Sequence, residues 1–260
     1  MTPKEIRSLC RTGKFTSPTP GLAPGFVQAN LVIVPEAQAF DFLLFCQRNS
    51  KPCPLIEVLE KGKWEPVHCA PGADLRTDLP RYRVFDSGKL VAEVDSIGHL
   101  WQPDLVSFLI GCSFTFDAAL TAQGLPVRHE QEKKNVPMYK TLIPCAPAGV
   151  FHGPLVVSMR PMLPGQALEA ARVTGRFPRA HGGPVHLGNP AAIGIHDLAS
   201  PDFGDPVTIH EGEVPVFWAC GVTPQAAAVE SKIPLLITHS PGHMFVTDWQ
   251  DSQLEGETKV

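Results

Sequence analysis

The run from Val214 to Gln225, Val-Pro-Val-Phe-Trp-Ala-Cys-Gly-Val-Thr-Pro-Gln, restricts the fold more than any other part of the chain. Its first half is short, apolar and rich in β-branched and aromatic residues, the pattern of a strand buried on both faces. Gly221 permits a sharp turn, Thr223 is a good helix N-cap, and Pro224 suits a first helical position. The stretch therefore predicts strand, tight turn, helix. In open α/β sheets, ligands bind at such a carboxyl strand end. Leu235 to Thr238, followed by His239-Ser-Pro-Gly-His243, predicts a second strand end beside it. Cys220, Thr223, His239 and His243 could then converge on one pocket, or the two runs could simply be core strand and turn.

The rest of the chain supplies partners for that strand. Leu31 to Val34 predicts a buried strand, Pro35 starts a helix through Gln47, and Leu55 to Leu59 predicts the next strand. This β-α-β order favours a parallel pair. A hairpin is expected over Tyr82–Phe85 and Leu90–Val94, then a helix from Asp104 to Ile110. A further helix runs from Phe114 to about Gln123, with Ser113 as its cap. Cys112 and a hydroxyl at that helix start parallel Cys220 and Thr223, over a match too short to establish a repeat. Leu155–Met159, Ala167–Val173 and Val185–Leu187 predict another β-α-β unit, and Val207–Ile209 an edge strand. The expected fold is α/β, a mixed, largely parallel sheet with flanking helices plus a smaller inserted α+β domain. Residues 1–124 with 211–250 would form the main domain, 125–210 the insert and 251–260 a frayed tail.

Composition narrows the function. At 260 residues the chain can bury a full core. Its 22 basic and 26 acidic residues nearly balance, and no basic run exceeds Lys133-Lys134, which argues against a nucleic-acid partner. No stretch approaches the roughly 20 apolar residues of a membrane span. The first residues lack the apolar core of a secretory signal. Seven cysteines stand singly with no C-x-x-C pair, so reduced thiols in a cytoplasmic protein are expected. The 27 prolines indicate fixed loops, among them Thr16 to Gly25.

Two helix N-termini facing one cleft would favour a small carboxylate. Arg160 and Arg128 could add bidentate contacts, or pair with structural acids. His181 with His186, and His239 with His243, are spaced like metal ligands, but Pro-Gly inside the second pair argues against the helical arrangement a zinc site uses. A histidine otherwise serves as general acid or base. Asp248 could orient His243 or face solvent. Cys112 and Cys220 could be nucleophiles with lowered pKa, or small apolar residues at tight turns. Gln28 and Asn30 could reach a ligand or satisfy the preceding loop.

Several blocks resemble the D-glutamate cyclase family. They are Gly21 to Asn30, Asp74 to Pro80, Phe108 to Phe114, Asn135 to Thr141, Val156 to Met162, His181 to His186, Phe217 to Gln225 and Thr238 to Met244. Leu75 and Lys140 depart from the pattern, where isoleucine and arginine are common. The resemblance implies a two-part α/β architecture and a hydro-lyase that dehydrates D-glutamate to 5-oxo-D-proline. It carries no agreed catalytic residues, so roles follow from the chemistry. His243 or His239 would transfer protons, and Arg160 would hold the α-carboxylate. N–H groups near Ser113 and Thr223 would stabilise the oxyanion. The reaction requires no redox cofactor, tolerates a divalent metal and needs no metal ligand set. The other class that fits is a non-catalytic amino-acid or carboxylate-binding regulatory module. The mixed surface permits a homodimer.

Overall fold

In the computed structural model, which describes residues 1–256, two antiparallel sheets are covered by six α-helices. The first sheet contains β1 (Phe26–Pro35), β2 (Leu55–Val58), β3 (Tyr82–Asp86), β4 (Lys89–Val94), β5 (Leu105–Gly111), β10 (Leu236–His239) and β11 (Phe245–Gln250). Its order is β2-β5-β1-β10-β3-β4, with β11 also paired to β1. The second sheet has the order β6-β7-β9-β8, from Met138–Pro144, Pro154–Met162, Val214–Ala219 and His186–Leu187 respectively. The helices are α1 (Pro3–Arg11), α2 (Glu36–Arg48), α3 (Phe114–Ala122), α4 (Arg128–Gln131), α5 (Pro164–Gly175) and α6 (Val222–Glu230).

The expectation of a largely parallel sheet is corrected: every strand pair is antiparallel. The β1-α2-β2 unit exists, and its two strands run the same way, but β5 lies between them and pairs with both. The segment expected as a helix from Asp104 is that strand. All seven residues of Leu105–Gly111 are buried, so apolar residues at every position leave no polar face for a surface helix. The strand pairing also divides the chain differently from the expected boundaries. β9 belongs to the second sheet, whereas β10 and β11 return to the first. Part of the expected frayed tail is ordered: Asp251–Leu254 forms a helical turn that buries Leu254 completely. Residues 257–260 lie outside the described residues.

The two sheets repeat one plan. Orders β2-β5-β1-β10 and β8-β9-β7-β6 correspond strand for strand, with α2 matching α5 and α3 matching α6. The register agrees too. Ala29 faces Gly111 where Val157 faces Ala219, and Pro35 and Leu163 hold the N-cap positions of α2 and α5. Gly111 to Leu120 then matches Ala219 to Ala228, with Cys112, Thr115, Ala118 and Ala119 aligned to Cys220, Thr223, Ala226 and Ala227. Each half sends its last strand into the other's sheet: β6 pairs with β7, and β10 with β1. Each of the two larger cores is likewise shared. One takes Phe116 of α3 and Ala170 of α5, the other Phe42 of α2 and Ala227 of α6.

Candidate active site

The two strand–helix junctions face each other across the centre of this repeat. Ser113 and Gly221 are the N-caps of α3 and α6, and neither helix start has a side-chain cap. The Phe114 and Val222 N–H groups instead approach the sulfurs of Cys112 and Cys220. Burial outweighs that help and pushes the Cys112 thiol up to about 12 and the Cys220 thiol up to about 11. Both stay protonated near neutral pH, which fits small apolar groups at a tight turn rather than nucleophiles. Asn30 on β1 reaches between the junctions. Its Nδ2 donates to the Gly111 carbonyl at 2.8 Å, and a Cβ on Gly221 would lie 2.2 Å from that nitrogen.

Beside them lies a buried charge cluster. The Arg160 side chain on β7 is fully buried, with its guanidinium centre 4.9 Å from the Phe116 ring centroid and 5.4 Å from that of Trp218. Nε and Nη2 donate to the two Asp117 oxygens at 2.6 Å each, Nη1 to Ser158 at 2.9 Å and Nη2 to Ser113 at 3.1 Å. Asp117 also faces His129, whose Nε2 stands 3.7 Å from Oδ2, long for a hydrogen bond. His129 is only 2% exposed and neither ring nitrogen has a partner. Burial lowers its pKa to about 4 against the opposing pull of Asp117, so the imidazole is neutral at physiological pH.

His129 itself is almost wholly buried, both ring nitrogens included, and lies in the wall of a cleft. With Glu130, Lys133, Asn135 and Pro18 it lines a cleft of about 580 Å³. A second cleft of about 380 Å³ shares the wall made by Pro20, Gly21 and Glu130, and continues along α3 to Gln28 and Asp251. Asp117, His129 and Glu130 each place a ligand atom within 4.8 Å of the others, so these three are the groups a divalent cation could use. The tight pair with Arg160 already occupies both oxygens of Asp117.

The structure brings together Asn30, Cys112, Ser113, Arg160 and Cys220, but not as a substrate pocket. Neither cleft is lined by Arg160, Ser113, Thr223 or His243, so those four share no cavity there. Arg160, expected to hold a carboxylate, is corrected to a structural partner of Asp117, because four of its N–H groups are already donated internally. Thr223 is not the cap of α6 but lies inside it, its hydroxyl bonded to the backbone of Val156. His239 is buried at the end of β10, its Nδ1 accepting from the Leu31 N–H at 3.1 Å and facing Gln225. Burial lowers its pKa to about 4. His243 turns its Nδ1 to the Pro241 carbonyl at 2.8 Å, and Asp248 pairs with Arg7 rather than with His243.

The remaining candidates have partners of their own. Arg128 is paired with Glu213. His181 is buried near Lys51, to whose carbonyl its Nδ1 lies at 2.9 Å, and His186 sits half-exposed on β8 against Phe217. Gln28 reaches the second cleft, its Nε2 donating to the carbonyls of Thr19 and Leu22 at 3.0 and 3.1 Å. Asp117, His129 and Glu130 escaped the reading of the sequence. One signal was available: Asp117 interrupts the apolar run Phe114-Thr-Phe-Asp-Ala-Ala-Leu120, and a lone acid there needs a buried partner.

Fold and site thus define an α/β protein of duplicated antiparallel sheets, with a neutral histidine beside a buried ion pair in the wall of a cleft. The chain belongs to the D-glutamate cyclase family, whose model matches residues 106–248. A Geobacillus kaustophilus protein named "Putative hydro-lyase GK2103" is 60% identical over 254 residues, covering 98% of this chain and 97% of its own. The "Putative hydro-lyase YcsI" of Bacillus subtilis is 58% identical over 254 residues, covering 98% and 99% respectively. A solved nitrogen repressor-like protein of Methanococcus jannaschii aligns over 94% of this chain and 97% of its own with 9% identity and a TM-score of 0.39.

Proposed function

We propose that the protein is a carbon–oxygen lyase whose substrate is D-glutamate, cyclised with loss of water to 5-oxo-D-proline in the cleft at His129. Family membership and the names of its relatives support the reaction class. The observation that carries the site is the neutral, unpartnered imidazole of His129 on the cleft wall. In the reaction the substrate ammonium loses a proton, its nitrogen attacks the side-chain carboxyl carbon, a C–N bond forms, the nitrogen loses a second proton, and a C–O bond breaks as the departing oxygen, having taken up both protons, leaves as water. The unprotonated imidazole is free to take the nitrogen's protons one at a time, and as a weak base it gives each back readily to the departing oxygen. Asp117 faces the ring without a hydrogen bond to it, and Lys133 and Asn135 offer a cation and an amide to the carboxylates. His243 stays in the scheme as a rim residue, since Gly242 beside it packs on Pro18 and Asn135 of the cleft. His239, with Nδ1 held by the backbone, has a structural part instead.

Incubation of the purified protein with D-glutamate, followed by NMR detection of 5-oxoproline, tests this reading. His129→Gln should lower turnover by about 10²-fold or more while leaving the fold intact. Saturable binding of D-glutamate without product, with and without added divalent metal, would replace the enzyme by the carboxylate-binding module.

A further inference from the structure

The smaller cleft has a chemistry of its own. Its walls are apolar along one side, where Leu22, Phe26, Phe114 and Ala118 lie, and its polar side chains are Gln28, Thr121, Glu130 and Asp251, without a lysine, arginine or histidine. Gln28 is only 4% exposed, and because its Nε2 is fixed on two carbonyls, its Oε1 is left as a buried acceptor without a donor. The Oδ1 of Asp251 is likewise buried with no well-formed hydrogen bond, although the Thr115 hydroxyl, itself short of a partner, lies beside that carboxylate. Asp251 is held in place by its own N–H on the Gly25 carbonyl at 2.9 Å and by the helical turn it begins. Burial raises its pKa to about 6, which still leaves it anionic above neutral pH.

We infer that this cleft is a binding site for a primary alkylammonium group, with the Gln28 amide oxygen and the Asp251 and Glu130 carboxylates accepting its N–H bonds and Leu22, Phe26 and Phe114 covering its carbon chain. An ammonium has three donors and no acceptor, the complement of an acceptor-lined cavity. Unpaired buried acceptors are costly, so a ligand that supplies donors gains what the empty protein lacks. A metal ion would take the same oxygens but would leave the apolar wall uncovered, whereas an alkylammonium fills both parts of the cavity. The charged end could come from the amino group of the substrate bound in the adjoining cleft or from a separate amine. The inference stands whichever it is, and does not depend on the proposed reaction.

Propylammonium is the probe, titrated into the full-length protein above neutral pH and followed by calorimetry and NMR, with 1-propanol as its uncharged counterpart. Propylammonium should bind with a millimolar Kd, and 1-propanol should bind at least about tenfold more weakly. Asp251→Asn and Gln28→Met, on different elements, should each weaken propylammonium about tenfold while the thermal transition stays cooperative. Displacement of propylammonium by D-glutamate but not by glutarate assigns the site to the amino group of the substrate. Additive binding of propylammonium and D-glutamate assigns it to a separate amine. Equal binding of 1-propanol and propylammonium, or unchanged affinity in both variants, overturns the site. Formation of 5-oxoproline is read separately, so the reaction and the ammonium site can fail independently.

Discussion

Arg160 shows how much one buried residue decides. A guanidinium out of water needs a full set of acceptors, and Asp117, Ser158 and Ser113 supply them from two different elements. Arg160→Met should lower stability by about 3–5 kcal/mol, because the Asp117 carboxylate is then buried without its partner. The double variant Arg160→Met/Asp117→Leu should recover most of that loss in denaturant titrations. A double variant no more stable than the single one would mean that the pair acts through something other than charge compensation. Gly221 is the matching steric case. A Cβ there meets the Asn30 amide, so Gly221→Ala should cost about 1–3 kcal/mol, and adding Asn30→Ala should restore part of it by removing the obstacle. Gly221 was legible in the sequence as the residue that turns strand into helix. The reason nothing larger fits is a side chain nearly two hundred positions away, which local pattern cannot reveal.

At the scale of elements, the segment Thr16 to Gly25 is a strap tied down by one buried residue. Thr19 gives its N–H and hydroxyl to the Gly242 carbonyl at 2.8 and 3.1 Å, and its hydroxyl accepts from the Met244 N–H at 3.0 Å. The strap borders the clefts through Pro18 and Pro20, and Gly242 of the other tied segment lies against Pro18. Thr19→Val keeps the shape but strands the Met244 N–H, so it should cost about 1–3 kcal/mol. Hydrogen exchange should accelerate at residues 16–25 and 240–244 while β1 and β5 stay protected. Uniform acceleration across the chain would show that the strap is not a separate unit. Proline and glycine made this loop legible, but not its partner, because loop docking is set by tertiary contacts. The misreading of β5 has a different origin. An apolar run buried on both faces carries neither helical nor alternating periodicity, so Leu105 to Gly111 fits either element until its neighbours are known. The run Val214 to Ala219 was read as a strand because its flanking turn and helix signals were stronger.

For the molecule as a whole, the duplication explains why the expected boundaries did not match the strand pairing. When each half lends its last strand to the other's sheet, cutting the chain between the halves divides both of the larger cores. The short likeness of Cys112 to Cys220 was visible in the sequence, but only the common register of β1 with β5 and β7 with β9 makes it a repeat. Burial in these shared cores also sets the response to acid. His129, His181 and His239 are all held neutral, each with its pKa lowered from 6.5 to about 4, chiefly by burial. Between those values the unfolded chain binds protons that the native state refuses, so stability rises with pH across the window and is lost as pH falls through it. Each histidine contributes on the order of 3 kcal/mol at neutral pH, all of it gone below about 4. Asp251, raised from 3.8 to about 6, acts in the opposite sense over nearly the same range, but it is one group against three. The unfolding midpoint should therefore fall steeply between pH 6.5 and 4. His181→Asn, which lines neither cleft, should flatten that net slope by about half without altering the binding of D-glutamate, and an unchanged slope would mean that this histidine takes up its proton without unfolding.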